Sequence, residues 1–276
     1  MKNSISLYAF KQRLGRIVIV VILPFFYSSS QAQDFSEYKK EISGHGEMQL
    51  PYRILYPLSF DSARKYPLLI FLHGAYEKGN DNESQLDIGG RFFLREENRK
   101  NFPAIIIFPQ CPTNDVWAYF ETDIDSATGL ARKWYFPFKK NPTVTTRLLK
   151  DLIDSLYTRS FIDASRIYIG GLSQGGMGVY DMVARYPGLF AAAFPICGAG
   201  PVNTAKNFAG KTALWIFHGD KDDIVPVYFS RDYYRRLQKL HADVKYTEYP
   251  GIYHNSWVNA FGEKDLLVWL FSHSKK

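Results

Sequence analysis

The sequence predicts an α/β fold in which helices cover both faces of a mostly parallel central sheet. Short apolar segments typical of strands alternate along the chain with longer segments of helical periodicity. The chain has 276 residues, of which 46% are hydrophobic, enough for one large core. After residue 40 it contains no internal repeat and no linker rich in Pro, Gly or Ser. These observations predict a single domain.

Seven short apolar runs, each bounded by turn residues, predict the strands of this sheet. They lie near residues 53–56, 68–72, 104–108, 167–170, 193–197, 213–218 and 245–249. A ligand site is expected at the carboxyl ends of these strands, where open α/β sheets bind their ligands.

Four helices are predicted between and after these strands. They lie at residues 143–157, 176–185, 228–240 and 257–273. In the first, Leu148, Leu149, Leu152 and Leu156 form one apolar stripe. The third is rich in Arg and Lys, which we interpret as its solvent-facing side rather than as a nucleic-acid site.

A candidate nucleophile, Ser173, lies between the fourth predicted strand and the second predicted helix. It is the centre of the segment Gly171–Gly175, which has the pattern Gly-x-Ser-x-Gly. The two glycines let the backbone turn sharply and present the hydroxyl beyond the strand end. The alternative is a turn that needs glycine only for its backbone. A serine hydroxyl becomes an effective nucleophile when a neighbouring base accepts its proton.

Two later loops supply the partners that such a serine needs. His254 lies on a glycine-containing loop after the last predicted strand and is the candidate base. The loop after strand 213–218 carries three acids, Asp220, Asp222 and Asp223. One of them is expected to orient the histidine and stabilise its charged form, while the others cap that loop or the next helix.

These motifs resemble those of bacterial esterases in the phospholipase/carboxylesterase, dienelactone-hydrolase-like and predicted-peptidase group, near secreted feruloyl and acetyl esterases. The likeness spans about residues 51–271 and includes two further segments, His73–Gly79 and Phe108–Pro112. The resemblance implies the α/β-hydrolase fold. It differs at Tyr76, where many relatives have glycine.

The resemblance also implies the roles of individual residues. The chain order Ser173, Asp222, His254 is that of an α/β-hydrolase catalytic triad, and the spacing of the acid loop favours Asp222 as the acid. The backbone N–H groups of Gln174 and Ala75 are the implied donors to the oxyanion of a tetrahedral intermediate. Gln174 begins a predicted helix, whose dipole favours negative charge there.

Two long connections, at residues 75–101 and 113–142, are expected to shape the substrate site. The second carries aromatic residues that include Trp117, Tyr119, Phe120, Trp134, Tyr135 and Phe136, which either line the cleft or pack as a satellite core beneath the loop. Trp117 resembles a tryptophan seen near the site of relatives and is predicted to bind substrate. Tyr76, beside the oxyanion loop, and Trp257, beside the candidate base, are the other predicted substrate-binding residues.

Residues 1–32 are predicted to be a secretory signal peptide. Four basic residues precede an apolar run at 17–27, and small residues precede Ala32. The run has 11 residues, against ~20 for a membrane span, although a permanent anchor is the alternative. Removing four cations from a formal net charge of +7 leaves +3. The mature chain, 33–276, is expected to be periplasmic or extracellular, without stable membrane insertion.

No cofactor, metal or nucleic acid is predicted. The sequence contains no phosphate loop, dinucleotide fingerprint or zinc-type Cys/His spacing. His73 and His218 follow predicted strands in His-Gly turns and are interpreted as structural supports near the site. Cys111 and Cys197 are predicted to be unpaired, because the strand order implied by the resemblance separates them by two strands.

Together, the motifs and the resemblance predict a secreted serine esterase that acts through an acyl-enzyme. Its expected substrates are short-acyl or hydroxycinnamoyl esters, as small molecules or on oligosaccharides. A peptidase or a lysophospholipase/carboxylesterase of the same fold is an alternative. A non-catalytic module of this fold, which binds glycans or a protein through its aromatic loops, is another.

Overall fold

A computed structural model describes residues 34–46, 48–127 and 131–275, and the predicted signal peptide lies outside these ranges. Its strands are β1 (Lys39–His45), β2 (Met48–Leu55), β3 (Tyr66–Leu72), β4 (Ile105–Pro109), β5 (Glu121–Ile124), β6 (Ala131–Tyr135), β7 (Ile162–Leu172), β8 (Ala192–Ile196), β9 (Ala213–Gly219) and β10 (Val244–Tyr249). Eight of them form one sheet in the order β1-β2-β4-β3-β7-β8-β9-β10, and β5 pairs with β6.

The prediction of a mostly parallel central sheet is confirmed. Strands β4, β3, β7, β8, β9 and β10 run parallel to one another, and β1 and β2 add an antiparallel edge. Each of the seven predicted strands corresponds to an observed one. The sequence did not predict β1, because its side chains are mostly exposed and give no apolar run.

The helices are α1 (Gly90–Leu94), α2 (Glu96–Asn101), α3 (Val144–Tyr157), α4 (Gln174–Arg185), α5 (Ala205–Phe208), α6 (Tyr228–Lys239), α7 (Trp257–Ala260) and α8 (Leu266–Phe271), with 3₁₀ turns at Ser84–Leu86 and Val202–Thr204. The first three predicted helices correspond to α3, α4 and α6. The fourth was wrong as a single helix, because Gly262 and the charged residues after it interrupt the helix between α7 and α8.

Apolar side chains cover both faces of the sheet, as an α/β fold requires. One buried cluster joins the central strands to α3, α4 and α6, and its members include the four leucines of the predicted α3 stripe. The other joins the opposite face to α1 and α8. Within the described ranges, no helix combines the length and hydropathy needed to cross a membrane.

This topology brings the loops after β3, β7, β9 and β10 to the same edge of the sheet, because parallel strands end on the same side. Cys111 and Cys197 are buried free thiols that follow β4 and β8. Two strands, β3 and β7, lie between those strands in the sheet.

Candidate active site

The backbone at Ser173 makes a sharp and strained turn. It lies between the end of β7 and the start of α4, with φ of 53° and ψ of −118°, in a region that non-glycine residues rarely adopt. A methyl group on Gly175 would lie 2.1 Å from the carbonyl oxygen of Leu72, and one on Gly171 would lie 2.7 Å from backbone atoms of Gly175. The close backbone packing therefore requires both glycines of the motif.

Ser173, His254 and Asp222 form one continuous chain of hydrogen bonds. Nε2 of His254 lies 2.9 Å from Oγ of Ser173, and Nδ1 lies 2.8 and 3.0 Å from the two carboxylate oxygens of Asp222. Because an ionised carboxylate only accepts, Nδ1 carries the ring proton and Nε2 is left to accept from the serine hydroxyl. The structure thus brings together the three residues that the sequence analysis selected.

The three acids of the β9 loop have different positions. Asp222 contacts His254 and also accepts hydrogen bonds from two N–H groups of its own loop. Asp220 instead accepts from the N–H of Gly251, at 2.6 Å, and so ties the acid loop to the histidine loop. Asp223 is exposed. Among the three, Asp222 is the acid that contacts His254.

Asp222 also contacts a second histidine, His218, whose side chain is fully buried. Nε2 of His218 lies 3.1 Å from Asp222 Oδ2 and 2.8 Å from the carbonyl oxygen of Val225, and Nδ1 lies 2.7 Å from Oγ of Ser230. Nε2 faces two acceptors and therefore carries the proton. Burial alone would raise the pKa of Asp222, but hydrogen bonds from His218 and His254 hold it well below its usual range.

The two residues predicted to supply oxyanion donors, Gln174 and Ala75, belong to segments that lie close to Ser173. Gln174 is the first residue of α4, where backbone N–H groups have no partner within the helix and the helix dipole favours an anion. Ala75 belongs to the loop after β3. That loop passes close to the serine, because a methyl group on Gly74 would lie 3.8 Å from Cβ of Ser173.

Trp117 does not line the site, and the sequence prediction was wrong here. Its side chain is fully buried, and its Nε1 donates to the carbonyl oxygen of His73 at 3.1 Å. A methyl group on Gly178 of α4 would lie 2.6 Å from Trp117 Cβ. The indole therefore fills the space between α4 and the loop after β3, and supports that loop from inside.

Glu77 is a buried carboxyl group beside the same loop, and the sequence analysis did not select it. It is 7% exposed, and its Oε2 has no hydrogen-bond partner among the described residues. A methyl group on Gly74 would lie 3.0 Å from this oxygen. Burial raises the pKa of Glu77. The signal in the sequence that could have identified Glu77 was its position inside the segment His73–Gly79, which resembles that of related esterases.

Exposed apolar side chains border the opening of the site. Tyr76, which follows the proposed donor Ala75, is 97% exposed, and Tyr253, which precedes the candidate base, is 58% exposed. Ile224 on the acid loop is 47% exposed. Trp257 is partly buried, and its ring stands edge-on to that of His254 with centroids 5.7 Å apart. Tyr76 is thus accessible to a bound molecule, whereas Trp257 packs against the histidine.

Aromatic residues of the second long connection form a satellite core, the second of the two alternatives left open by the sequence. Phe120, Trp134 and Phe136 pack around Met177 and Val225. The rings of Trp134 and Phe136 are stacked, 6.0 Å apart. Met177 lies in the first turn of α4 and Val225 lies on the acid loop, so this cluster fixes the β5–β6 hairpin at one side of the site.

In the described part of the chain, Cys197, Asp222 and His254 have candidate metal-ligating atoms within 4.8 Å of one another. Burial raises the pKa of the Cys197 thiol, whereas metal binding requires the thiolate. Asp222 and His254 already bond to each other. We therefore interpret this group as part of the hydrogen-bonded site rather than as a metal centre.

The arrangement has the parts needed for nucleophilic acyl transfer. The turn after β7 presents the partly exposed Ser173 hydroxyl, a neutral imidazole can accept its proton, and a carboxylate can stabilise the imidazolium. Nearby backbone N–H groups can stabilise an oxyanion.

A family model described as phospholipase/carboxylesterase matches residues 61–264. Among solved structures, the crystal structure of a thermostable esterase superposes with a TM-score of 0.76 and 32% sequence identity, covering 87% of this chain and 64% of that one.

Two curated relatives match over a small part of their own length. Poly(3-hydroxyalkanoate) depolymerase C of Paucimonas lemoignei is 42% identical over 59 residues, which are 21% of this chain and 14% of that protein. An uncharacterized secreted protein of Arthroderma benhamiae is 27% identical over 242 residues, covering 75% of this chain and 23% of that protein. The chain thus spans less than a quarter of either curated relative.

Proposed function

Because this chain belongs to the phospholipase/carboxylesterase family, whose members have the α/β-hydrolase fold, we propose that it is a serine hydrolase of carboxylic esters. The observation that carries the proposal is the hydrogen-bond chain in which His254 contacts Ser173 at 2.9 Å and Asp222 at 2.8 Å. Ser173 is the proposed nucleophile, His254 the base and Asp222 the acid of a catalytic triad.

In the first half-reaction, Oγ of Ser173 attacks the ester carbonyl carbon while its proton passes to Nε2 of His254. The carbonyl oxygen becomes an oxyanion, and the N–H groups of Ala75 and Gln174 are its proposed donors. Collapse of this intermediate breaks the bond to the alkoxy group. His254 gives its proton to that leaving oxygen, so an alcohol departs and an acyl-enzyme remains.

In the second half-reaction, a water molecule gives a proton to Nε2 of His254 and attacks the acyl carbon. The same two N–H groups stabilise the second oxyanion. When this intermediate collapses, Ser173 leaves as the alkoxide and takes the proton back from His254. The products are a carboxylic acid and the free enzyme.

We propose short-acyl or hydroxycinnamoyl esters as the substrates, either as small molecules or on oligosaccharide fragments. The exposed Tyr76 and Tyr253 support this choice, because aromatic side chains at a site opening suit an aromatic acid or a sugar face. The name of the Paucimonas lemoignei relative concerns a polymer of hydroxyalkanoates, in which the links are esters. A peptidase or a lysophospholipase of the same fold remains the alternative.

We also propose that the mature protein acts outside the cytoplasm, in the periplasm or the extracellular space. The basic and apolar pattern of residues 1–32 supports export. A curated relative is described as a secreted protein. N-terminal sequencing of the exported protein would test cleavage after Ala32.

The test of the proposed function is covalent labelling of the mature protein with a fluorophosphonate serine probe, read by intact mass, beside the Ser173→Ala variant. One label on the wild type and none on the variant is the expected result. A panel of acetyl, feruloyl and longer-chain esters, with a 3-hydroxybutyrate oligomer and a peptide, then identifies the substrate class.

If the folded wild-type protein takes up no label, the catalytic proposal is wrong. The binding-module alternative would then be tested with a panel of glycans. It predicts that binding survives Ser173→Ala but is lost when Tyr76 and Tyr253 are replaced.

A further inference from the structure

We propose that His73 is a positioning residue that sets the direction of the Ala75 N–H, the proposed oxyanion donor. The inference rests on the proposed function. His73 lies outside the proposed triad and acts through the peptide group between Gly74 and Ala75, whose N–H stabilises the oxyanion. The sequence analysis had interpreted His73 only as a structural support.

The proton of the His73 ring has a defined place. His73 directly follows β3 and is fully buried. The backbone N–H of Cys111 donates to Nε2 at 2.9 Å, so Nε2 acts as an acceptor and carries no proton. A neutral imidazole has one N–H, which must then be at Nδ1. Burial lowers the pKa of His73 to about 4, which keeps the ring neutral at physiological pH.

Nδ1 of His73 lies 2.7 Å from the carbonyl oxygen of Gly74 and therefore donates to it. This carbonyl and the N–H of Ala75 belong to the same peptide group. A trans peptide is planar, and its C=O and N–H point in opposite directions. By holding the carbonyl against the buried imidazole, His73 directs the N–H of Ala75 away from the interior.

The open side of this peptide group is where the substrate is expected. Ala75 is exposed, although His73 and Gly74 are buried. Gly74 lies close to Ser173, since a methyl group on Gly74 would come within 3.8 Å of Ser173 Cβ. An inverted peptide would instead present the carbonyl oxygen to the developing oxyanion and repel it.

The ring itself is held on several sides, so it can serve as a fixed reference for the peptide. Trp117 donates from Nε1 to the carbonyl oxygen of His73, and the two rings are 5.2 Å apart. Cys111, which bonds to Nε2, lies two residues after the end of β4. The imidazole therefore links two neighbouring strands to the loop that carries the proposed donor.

Two substitutions separate the two hydrogen bonds of the ring. In His73→Asn, the amide nitrogen is as many bonds from Cβ as Nδ1 is, so it can still donate to Gly74. In His73→Gln, the amide oxygen is as far from Cβ as Nε2 is, so it can still accept from Cys111. We expect H73Q to lower kcat for a good ester substrate ~100-fold with little change in KM, which is the size of a lost oxyanion donor. H73N should stay within ~10-fold of the wild type.

Equal losses of kcat in two folded variants, or a greater loss in H73N, would overturn the proposal. If His73 only stabilised the fold, keeping the donor to Gly74 would preserve no more activity than keeping the acceptor from Cys111. Thermal unfolding of both variants establishes whether each is folded. If the wild type itself neither labels nor turns over esters, the proposed function fails instead.

A measurement on the wild type tests the inference even if both variants fail to fold. Histidine-selective ¹⁵N labelling and NMR report which ring nitrogen carries the proton. We expect His73 to be protonated at Nδ1 and not at Nε2 throughout pH 6–8. A proton at Nε2 would contradict the proposal outright, because Nδ1 could then not donate to Gly74.

Discussion

Nε2 of His218 lies 3.1 Å from Oδ2 of Asp222, and both side chains are fully buried. His218 belongs to β9, so a strand within the sheet holds one end of this contact. The backbone of the acid loop holds the other carboxylate oxygen. Two sets of contacts therefore orient Asp222 in addition to its hydrogen bond with His254, although a sequence motif alone would assign it one partner.

Replacing His218 by leucine should lower kcat by roughly 10- to 100-fold, because a hydrogen bond to a charged group contributes about 1.5–3 kcal/mol. His218→Gln can still donate to Asp222 and should retain most of the activity. Steady-state hydrolysis of p-nitrophenyl acetate measures kcat, and circular dichroism checks folding. Full activity in a folded H218L variant would show that the contact is dispensable.

Asp222→Asn should reduce kcat by ~10⁴-fold, because the amide cannot hold His254 in the tautomer that accepts the serine proton. Asp223→Asn is the matched control and should behave like the wild type, since Asp223 is exposed. Both variants are compared in the same ester assay. A comparable loss in both would mean that the acid has been misassigned.

Tyr76→Ala should raise KM for a feruloyl ester several-fold and leave acetyl-ester hydrolysis almost unchanged, because only the larger acid would reach the exposed ring. Tyr157→Ala controls for loss of a surface tyrosine, since Tyr157 ends α3, at the opposite edge of the sheet. The result is read from the ratio of kcat/KM for the feruloyl ester to kcat/KM for the acetyl ester. An unchanged ratio for Tyr76→Ala would remove this residue from the proposed substrate site.

Gly175→Ala should destabilise the fold severely, because its methyl group would lie 2.1 Å from the Leu72 carbonyl oxygen, a backbone atom that cannot move aside cheaply. Gly210→Ala is the control. Gly210 has a φ of +75° but open space around it, so the substitution should cost only ~1 kcal/mol. Chemical denaturation gives both free energies of unfolding. Similar values would mean that the turn at Ser173 can open to admit a side chain.

Acid should destabilise the protein through His73. Its folded pKa is about 4, against about 6.5 in an unfolded chain. The unfolded state therefore binds more protons between these values, so this stability is complete above pH 6.5 and is lost as the pH falls toward 4. The full effect is about 3 kcal/mol. Urea denaturation from pH 4 to 7 should show a weaker pH dependence for H73N than for the wild type, and identical curves would contradict the assignment.

The sequence predicted the sheet and the candidate triad because each depends on strong local patterns. Ser173 and His254 follow apolar strands in glycine-containing turns, and parallel strands bring such turns together. β1 and β5 have no such pattern, since their side chains are mostly exposed. β1 pairs with β2 and β5 with β6, each the next strand along the chain, but exposed side chains leave no apolar run that would mark such a pair in the sequence.

Burial explains where the predictions for single residues failed. An aromatic residue in a loop can face the cleft or the interior, and only tertiary packing decides which. Trp117 faces the interior, where the carbonyl oxygen of His73 accepts the hydrogen bond that a buried indole N–H needs. The contact between His218 and Asp222 likewise depends on a side-chain direction that spacing does not encode.

Among the strands that the structure describes, β10 is the outermost on its side of the sheet and pairs with β9 alone, and the loop that carries His254 follows it directly. Sheet edges are held by fewer partners and open at a lower free energy than the centre. Heating would therefore separate His254 from Ser173 while the inner strands stay paired. The temperature at which turnover fades would lie below the temperature at which the helices melt, and brief overheating would be reversible.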